Sequence, residues 1–232
     1  MEHRNYLNGA FIMLGLCFLG IQIPKAVAQY KSFERIVTVK GLCEKEVNAD
    51  KVIWPLAIKV SGNSIEEVSA EIESKTQLVR EFLTKGGIPA AEITTSAASV
   101  SDRDTESYNL ERRYRFIAQC VTTVCSNDVD KVRALIARQN ELMQYGITFE
   151  DSWDNQTIFS FESLNDLKPE MIEEATHNAR EVAQKFANDS GSRLGKIKEA
   201  SQGTFSINDR DSNTPWIKNV RVVTSVVYYL KN

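Results

Sequence analysis

The chain is poor in the residues that most often build metal sites and disulfide frameworks. It contains two histidines, one of which is His3, so few side chains are available for a histidine-based metal site. Four cysteines in 232 residues exclude a disulfide-dense miniature scaffold. Eleven glycines and five prolines exclude a collagenous or linker-dominated chain. The composition, with 42% hydrophobic and 25% charged residues, is typical of a globular protein.

No excess of basic residues is present, which argues against a nucleic-acid partner. The 28 basic and 31 acidic residues give a formal net charge of −3. Nucleic-acid affinity comes mainly from basic side chains that neutralise phosphates. One stretch, residues 108–115, interleaves basic and aromatic residues, but it contains one glutamate and lies close to another. We interpret it as an exposed strand of mixed charge.

The first 28 residues have the pattern of a secretory signal. Arg4 precedes an almost wholly apolar run over residues 7–23, and Ala26-Val27-Ala28 has the small-x-small form that signal peptidase recognises. A run of about 17 residues is at the lower limit for spanning a bilayer. We therefore expect a cleaved signal peptide over residues 1–28. Lys25, close to the cleavage site, keeps open the alternative of an uncleaved N-terminal anchor.

The mature chain, residues 29–232, alternates between strand-like and helix-like patterns. Alternation with period two predicts strands, and apolar steps of three and four predict helices. The predicted strands cover residues 35–47, 51–61, 93–101, 108–125, 147–161 (interrupted near 154–155), 194–207 and 220–230. The predicted helices are one that begins after a capping box at Ser64 and ends at Gly86-Gly87, a shorter one from Val129, and one over residues 169–189.

Two of these segments carry specific packing expectations. Pro55 cannot donate to a strand ladder, so we expect the strand over 51–61 to be an edge or to be bulged at that point. The helix over 169–189 should bury the apolar side chains that recur at helical spacing. Those side chains are Ile172, Ala175, Ala179, Val182 and Phe186.

The two halves of the mature chain resemble each other in the order of their elements. Subtracting 104 aligns Gly191 with Gly87, each of which follows a long helix. Each half is predicted to be strand, long helix, strand, strand, over about 50–125 and 147–231, with the short helix between. The predicted fold class is therefore α+β, with two β-α-β-β repeat units whose long helices pack on largely antiparallel sheets.

The last predicted strand is apolar on both faces. One face carries Val220, Val222, Val226, Tyr228 and Leu230, and the other carries Val223, Val227 and Tyr229. A strand with two apolar faces is covered on both sides, by a helix or by another subunit. We therefore predict that Val223, Val227 and Tyr229 form a self-association surface and that the protein is a homo-oligomer.

The cysteines of the mature chain allow a disulfide but favour buried thiols. Cys120 and Cys125 lie in one predicted strand, about 16 Å apart when extended, which is too far for a bond between them. Cys43 could meet either of them across a sheet, so both pairings stay open. Buried free cysteines are common, and we expect that state here.

No other residue pattern indicates catalysis. His177 lies off the apolar side of its helix, and we expect it to be solvated. Residues 102–106 and 209–213 begin like calcium loops, but both lack the required glycine and final glutamate, so we interpret them as polar turns. There is no glycine-rich phosphate loop, nucleophile elbow or Cys-x-x-Cys pair. We expect no catalytic residue, no metal site and no cofactor.

An ordered series of short motifs runs along the mature chain. The motifs are Val37-Thr38-Val39-Lys40-Gly41, the run over 44–50, Ile53-Trp54-Pro55-Leu56, Lys168-Pro169-Glu170-Met171-Ile172, the alanines 175, 179 and 183, Leu194-Gly195-Lys196-Ile197, the run over 200–207, and Val220-Arg221-Val222-Val223-Thr224. This series resembles the SIMPL domain family of exported bacterial proteins, and Ile53-Trp54-Pro55-Leu56 is similar to one branch of that family. The resemblance covers about residues 34–231.

The resemblance implies a periplasmic or envelope location in a Gram-negative bacterium and an α+β fold that often forms oligomers. Some relatives are linked to oxidative-stress defence, and no catalytic residues carry over. We therefore expect a self-associating envelope protein with a scaffold or stress-protective role. The alternative is a module that binds a small envelope ligand or a protein partner, in the cleft between the repeat units. A thiol or carboxylate enzyme is a third hypothesis.

Overall fold

The computed structural model describes residues 13–25, 35–105, 113–150 and 152–231. Residues 13–25 form a helix, α1, whose side chains are all exposed. No helix in the described ranges is both long and apolar enough to cross a membrane. The predicted cleavage motif at 26–28 and most of the basic stretch at 108–115 lie outside these ranges.

The described residues from 35 onward form three further α-helices and nine strands in mixed order. The helices are α2 (Ile65–Lys85), α3 (Val129–Arg138) and α4 (Leu164–Asp189). The strands are β1 (Ile36–Asn48), β2 (Lys51–Gly62), β3 (Ile93–Thr95), β4 (Ser99–Asp102), β5 (Phe116–Ser126), β6 (Ile158–Ser160), β7 (Arg193–Gln202), β8 (Ser206–Asp209) and β9 (Ile217–Lys231). This content, with two antiparallel sheets, confirms the α+β class.

The chain divides into two compact units. The first contains the described residues up to Lys45, Asp166–Ser206, and the described residues from Val220. The second contains Glu46–Asn165 and Ile207–Asn219. The repeat over about 50–125 and 147–231 stays a prediction, because these bounds do not test an internal repeat.

Sheet B, in the order β3-β5-β2-β6 with β4 beside β5, forms the second unit's core. Along β2, Val52, Trp54, Leu56, Ile58 and Val60 are buried as the alternation predicted. Helix α2 covers this sheet with four apolar side chains at helical spacing, Val68, Ile72, Val79 and Leu83. The core is therefore one helix packed on one face of an antiparallel sheet.

Pro55 lies where β2 has a strand on one side only. It is opposite Thr123 of β5, while β6 pairs with β2 only as far as Ile53. Because proline has no N–H group, the ladder on the β6 side ends before it. The expectation that β2 is an edge strand is wrong, because β5 and β6 lie on its two sides, but Pro55 falls in a gap where the β6 side has no ladder partner until Ile58 meets Phe149.

The prediction of one continuous strand over residues 93–101 is wrong, because the structure has two short strands there, β3 and β4. Ser96 lies between them, and the Val121 N–H donates to the Ser96 hydroxyl at 3.0 Å rather than to a backbone carbonyl. The Ser96 N–H still donates to the Val121 carbonyl at 2.9 Å. A serine side chain has thus taken the place of a ladder acceptor, which interrupts the strand.

Sheet A, in the order β1-β9-β7 with β8 beside β9, belongs largely to the first unit. Helix α4 packs on one face of it, where Val39, Ala179, Ala183, Val226 and Tyr228 form a buried cluster. A Cβ on Gly41 would lie 1.8 Å from the Ala175 carbonyl oxygen. The helix backbone therefore approaches β1 so closely that only glycine fits.

The predicted apolar side of α4 is wrong for three of its five residues. The buried side chains are Met171, Ala175, Ala179, Ala183 and Ala187. Ile172 is only half-buried, and Val182 and Phe186 are 37% and 56% exposed. The close approach at Gly41 selects the small residues, because bulky side chains would hold the helix away from the sheet.

The predicted start of α4 is also wrong, by five residues. The helix begins at Leu164, and Pro169 lies inside it. Just before that start, the backbone N–H groups of Glu162 and Ser163 donate to the Asp50 carboxylate at 2.7 and 2.8 Å. This cap comes from more than 100 positions away, so the local sequence could not show it.

Gly41→Ala should destabilise the fold strongly, because the added methyl group would meet helix backbone rather than a flexible side chain. We expect the free energy of unfolding to fall by about 3 kcal/mol, at the upper end for overpacking. Denaturant titration followed by circular dichroism measures it. Thr38→Ala, at an exposed position of the same strand, is the control and should lower the free energy by less than about 1 kcal/mol. Equal losses in the two variants would contradict the close approach.

Candidate functional site

The face of sheet A opposite α4 carries the predicted self-association residues. We call this the outer face and define it by Ile36, Leu42, Val223, Val227 and Tyr229. The first two are 40% and 41% exposed, and the other three are half-buried in the single chain. The structure therefore brings the three predicted residues together on one face with two apolar neighbours from β1.

Alternation along two strands produces this face. In β9, Val220, Val222, Thr224, Val226 and Tyr228 point to the helix side and are buried. The intervening side chains must point the other way, because successive residues of a strand alternate. In β1, the same rule assigns the even-numbered residues to the outer face.

Charged groups lie on the outer face as well as near it. By the same alternation, Lys40 of β1 lies between Ile36 and Leu42, and Glu199 of β7 lies opposite Val227. The Arg221 guanidinium lies 3.3 Å from the Glu44 carboxylate, which joins β9 to β1. The outer face therefore combines apolar side chains with charges of both signs, as protein interfaces commonly do.

The four cysteines are free thiols, and they differ in exposure. Cys43 and Cys120 are buried, whereas Cys17 and Cys125 are exposed. Burial, together with the nearby Glu174 carboxylate, raises the pKa of the Cys43 thiol to about 11. The Cys120 thiol donates to the Ser96 carbonyl at 3.4 Å. The expectation of buried thiols is confirmed for Cys43 and Cys120.

His177 and the two polar turns take the places expected of them. The His177 side chain is 68% exposed, with its ring 3.8 Å from Glu181. In the 209–213 turn, the Asp211 carboxylate accepts hydrogen bonds from the backbone N–H groups of Asn213 and Thr214 at 2.8 and 2.9 Å. Hydrogen bonds from the Thr214 hydroxyl and the Arg210 guanidinium lower the pKa of Asp211 to about 2. The carboxylate oxygens are thus used within the turn.

In the turn that starts at Asp102, the first carboxylate is likewise bound by a side chain of the protein. The Arg115 guanidinium lies 2.8 Å from the Asp102 carboxylate. This contact lowers the pKa of Asp102 and raises that of Arg115. Nowhere in the described ranges do three His, Cys, Asp or Glu side chains form a group that could hold a metal ion.

A cavity that the sequence reasoning missed lies inside the second unit. It has a volume of about 570 Å³ and is bounded by the start of α3, the turn before β3, the β1–β2 turn and Trp216. Its lining includes a carboxylate, a guanidinium and an indole, from Glu92, Arg133 and Trp216 respectively. They come from distant parts of the chain and belong to no short motif, so no local signal could have identified them.

Comparison with protein families gives a match over most of the chain. The sequence profile of the SIMPL family, described as a protein of unknown function (DUF541), matches residues 37–224. That range runs from β1 into β9 and includes both compact units. A search of curated proteins gave no significant match.

Thiol labelling should separate the cysteines of the folded chain into two classes. With Cys17 changed to serine, we expect one fast-reacting thiol per native chain, Cys125, and three after unfolding. Cys43 should react at least about a hundredfold more slowly at pH 8, because few thiols with a pKa of about 11 are ionised there. A chromogenic disulfide reagent measures these rates.

Adding Cys125→Ser to that variant supplies the control, which should leave no fast thiol. If Cys43 reacted as fast as Cys125, its burial would be contradicted. If the native chain showed no fast thiol, Cys125 would be in a disulfide rather than free.

Proposed function

Because the chain belongs to the SIMPL family, whose function is unknown, we propose a function from its own geometry: it is an exported envelope protein that self-associates through the outer face of sheet A. The observation that carries the proposal is the group of five apolar side chains from β1 and β9 on the face that α4 does not cover. The occupant of that face is a second copy of the same face.

Self-complementarity supports a second copy as the partner. A two-fold interface brings each patch against itself, so its centre must not repeat one charge. The outer face carries charges of both signs among its apolar side chains, namely Lys40, Glu199 and the Arg221–Glu44 pair. Two copies can therefore meet with opposite charges facing each other.

The size of the patch indicates how far the interface extends. A stable interface covers about 800 Å² on each partner. Five partly exposed side chains do not supply that area alone. The interface therefore includes neighbouring residues of β1 and β7. The apolar side chains that define the outer face contribute most of its binding free energy.

Export to the envelope rests on the N-terminal segment. Residues 13–25 form a helix whose large apolar side chains all remain exposed. Such side chains add nothing to a folded core, whereas a signal peptidase substrate needs an apolar run followed by small residues. We propose the periplasm or envelope of a Gram-negative bacterium as the location, and a scaffold or stress-protective role there.

A second candidate function is the binding of a small ligand. The cavity beside Trp216 favours it, because ligand sites are clefts of about 300–1,000 Å³ with a few polar groups. This cavity lies within the second unit, and its lining includes residues from both predicted repeat units and from the segment between them.

Val227→Lys should weaken self-association, because the variant replaces an apolar contact with an ammonium group from each copy. We expect the dissociation constant of the assembly to rise at least about a hundredfold, as for a central interface residue. Sedimentation velocity over a range of concentrations measures it.

Phe186→Lys is the matched control, since it puts the same charge on an exposed apolar side chain of α4. It should leave the dissociation constant within about threefold of the unmodified protein. An assembly that survives Val227→Lys but dissociates in Phe186→Lys would move the interface to α4 and overturn the proposal for the outer face.

The signal segment should be removed after Ala28. We expect the intact mass of the protein from an envelope fraction to match a chain that begins at Gln29. Ala28→Arg should keep the full-length mass, because the peptidase needs a small residue there, and Ala26→Ser should still be cleaved. A full-length mass for the unmodified protein would instead support the uncleaved anchor.

A further inference from the structure

An open cavity of about 720 Å³ lies between α2 and the short strands β3 and β4. Its lining comes from one side of α2, from four residues between positions 95 and 100, and from Cys120 of β5. All of these residues belong to the second unit. The cavity shares no lining residue with the one beside Trp216. Its volume is in the range typical of small-molecule sites.

The interruption between β3 and β4 explains why space is left beside α2. Strand β3 ends at Thr95 and β4 begins at Ser99, so three small residues, Ser96, Ala97 and Ala98, connect them. Ser96 and Ala98 line the cavity. Small side chains at this point leave open the volume that larger ones would fill with packed atoms.

The Arg80 guanidinium marks one end of the cavity and is positioned from the sheet. It donates to the Thr95 hydroxyl at 3.0 Å, and that hydroxyl lies 3.4 Å from the hydroxyl of the buried Thr122. Arg80 is half-buried, and in the described part of the chain no carboxylate pairs with its guanidinium. A guanidinium has five N–H donors in a fork that matches a carboxylate. Most of the Arg80 donors are therefore available to an anionic group in the cavity.

The cavity becomes apolar away from Arg80. Thr95 and Val100 both line it, and they are paired with β5 residues four positions apart, which corresponds to about 13 Å along the strand. Cys120 lies between those two β5 positions. On the helix side, Ile72 lines the cavity about 12 Å before Arg80 along the axis of α2. The cavity therefore has a cationic end and an apolar end.

The other charge at the cavity lies in solvent. Glu73 is the acidic residue among the described lining residues, and it is exposed, as are Ser69, Ser74 and Gln77 of the same helix. It lies seven positions before Arg80, about 10 Å along the helix axis. Solvent screens an exposed carboxylate at that distance from the guanidinium. The half-buried guanidinium therefore decides which ionic group the cavity accepts.

We propose that this cavity binds a linear aliphatic carboxylate of medium chain length. Its carboxylate accepts hydrogen bonds from the Arg80 guanidinium, and its chain lies past Ala98 and Cys120 toward Val100 and Ile72. Charge-assisted hydrogen bonds to a guanidinium fix the orientation of a carboxylate, and removal of the chain from water supplies affinity. The site does not depend on self-association, because the cavity and the outer face of sheet A belong to different units.

The test compares four probes: octanoate, octanol, octylamine and acetate. Each is titrated into the protein at neutral pH, and its affinity is measured by calorimetry. The Arg80 Nε–H resonance, assigned by its absence in Arg80→Gln, is followed by nuclear magnetic resonance. Octanoate should shift this resonance with saturation. The other three probes should bind at least tenfold more weakly, because octanol and octylamine have no carboxylate and acetate has no chain.

Three variants test the cationic end. Arg80→Gln removes the charge and should weaken octanoate binding at least tenfold, and Arg80→Lys, which keeps the charge without the planar fork, should weaken it less. Ala98→Asp, at an exposed position of the lining, should also weaken octanoate binding at least tenfold and leave octanol binding within about threefold. Arg180→Gln, at an exposed position of α4, is the matched control and should change neither affinity.

Several results would overturn the proposal. Octanol binding as tight as that of octanoate would show an apolar cavity without selectivity for anions. Tighter binding of octylamine would assign the cavity to amines, and equal binding of acetate would remove the apolar end from the site. Unchanged octanoate affinity in folded Arg80→Gln would exclude the guanidinium. If Arg80→Gln does not fold, Ala98→Asp decides, and unchanged octanoate affinity in that variant would place the ligand elsewhere.

Discussion

The close approach of α4 to β1 at Gly41 is the contact on which the rest of sheet A depends. Because a Cβ there would meet the Ala175 carbonyl oxygen at 1.8 Å, the helix must present its smallest side chains to the sheet. The alanines from 175 to 187 then lie inside. Helix α4 covers one face of sheet A in this way, and the outer face is the one that it does not cover.

That one-sided coverage is the structural basis of the proposed assembly. The central strand β9 carries apolar side chains on both faces, and α4 covers the face to which Val226 and Tyr228 point. Val223 and Val227 point away from it and are only half-buried. A second copy has the same apolar side chains on its outer face. Self-association would therefore complete the burial of side chains that the single chain leaves half-exposed.

The sequence predicted those features that depend on local periodicity. Strict alternation located β2 and β9 and both faces of β9, and the Ser64 and glycine signals located α2. Its failures came from contacts between distant residues. The buried side of α4 depends on Gly41, and the two residues before its first turn are bound by Asp50. The Asp50 contact leaves no trace in the sequence of the helix, whereas the alanines at every fourth position from 175 to 187 are the local signal of the close approach.

The same distinction applies to the two candidate sites. Val223, Val227 and Tyr229 could be selected because one strand places them on one face. Glu92, Arg133 and Trp216 could not, because only the folded chain brings a turn, a helix and a loop together around one cavity.

The oligomeric state of the unmodified protein tests the central claim most directly. The solution mass should be measured by light scattering while the protein is diluted a hundredfold from high micromolar concentration. The account predicts a mass that is a fixed multiple of the chain mass across that range. A mass equal to one chain at every concentration would contradict it, because the outer face of sheet A would then have no second copy to cover it.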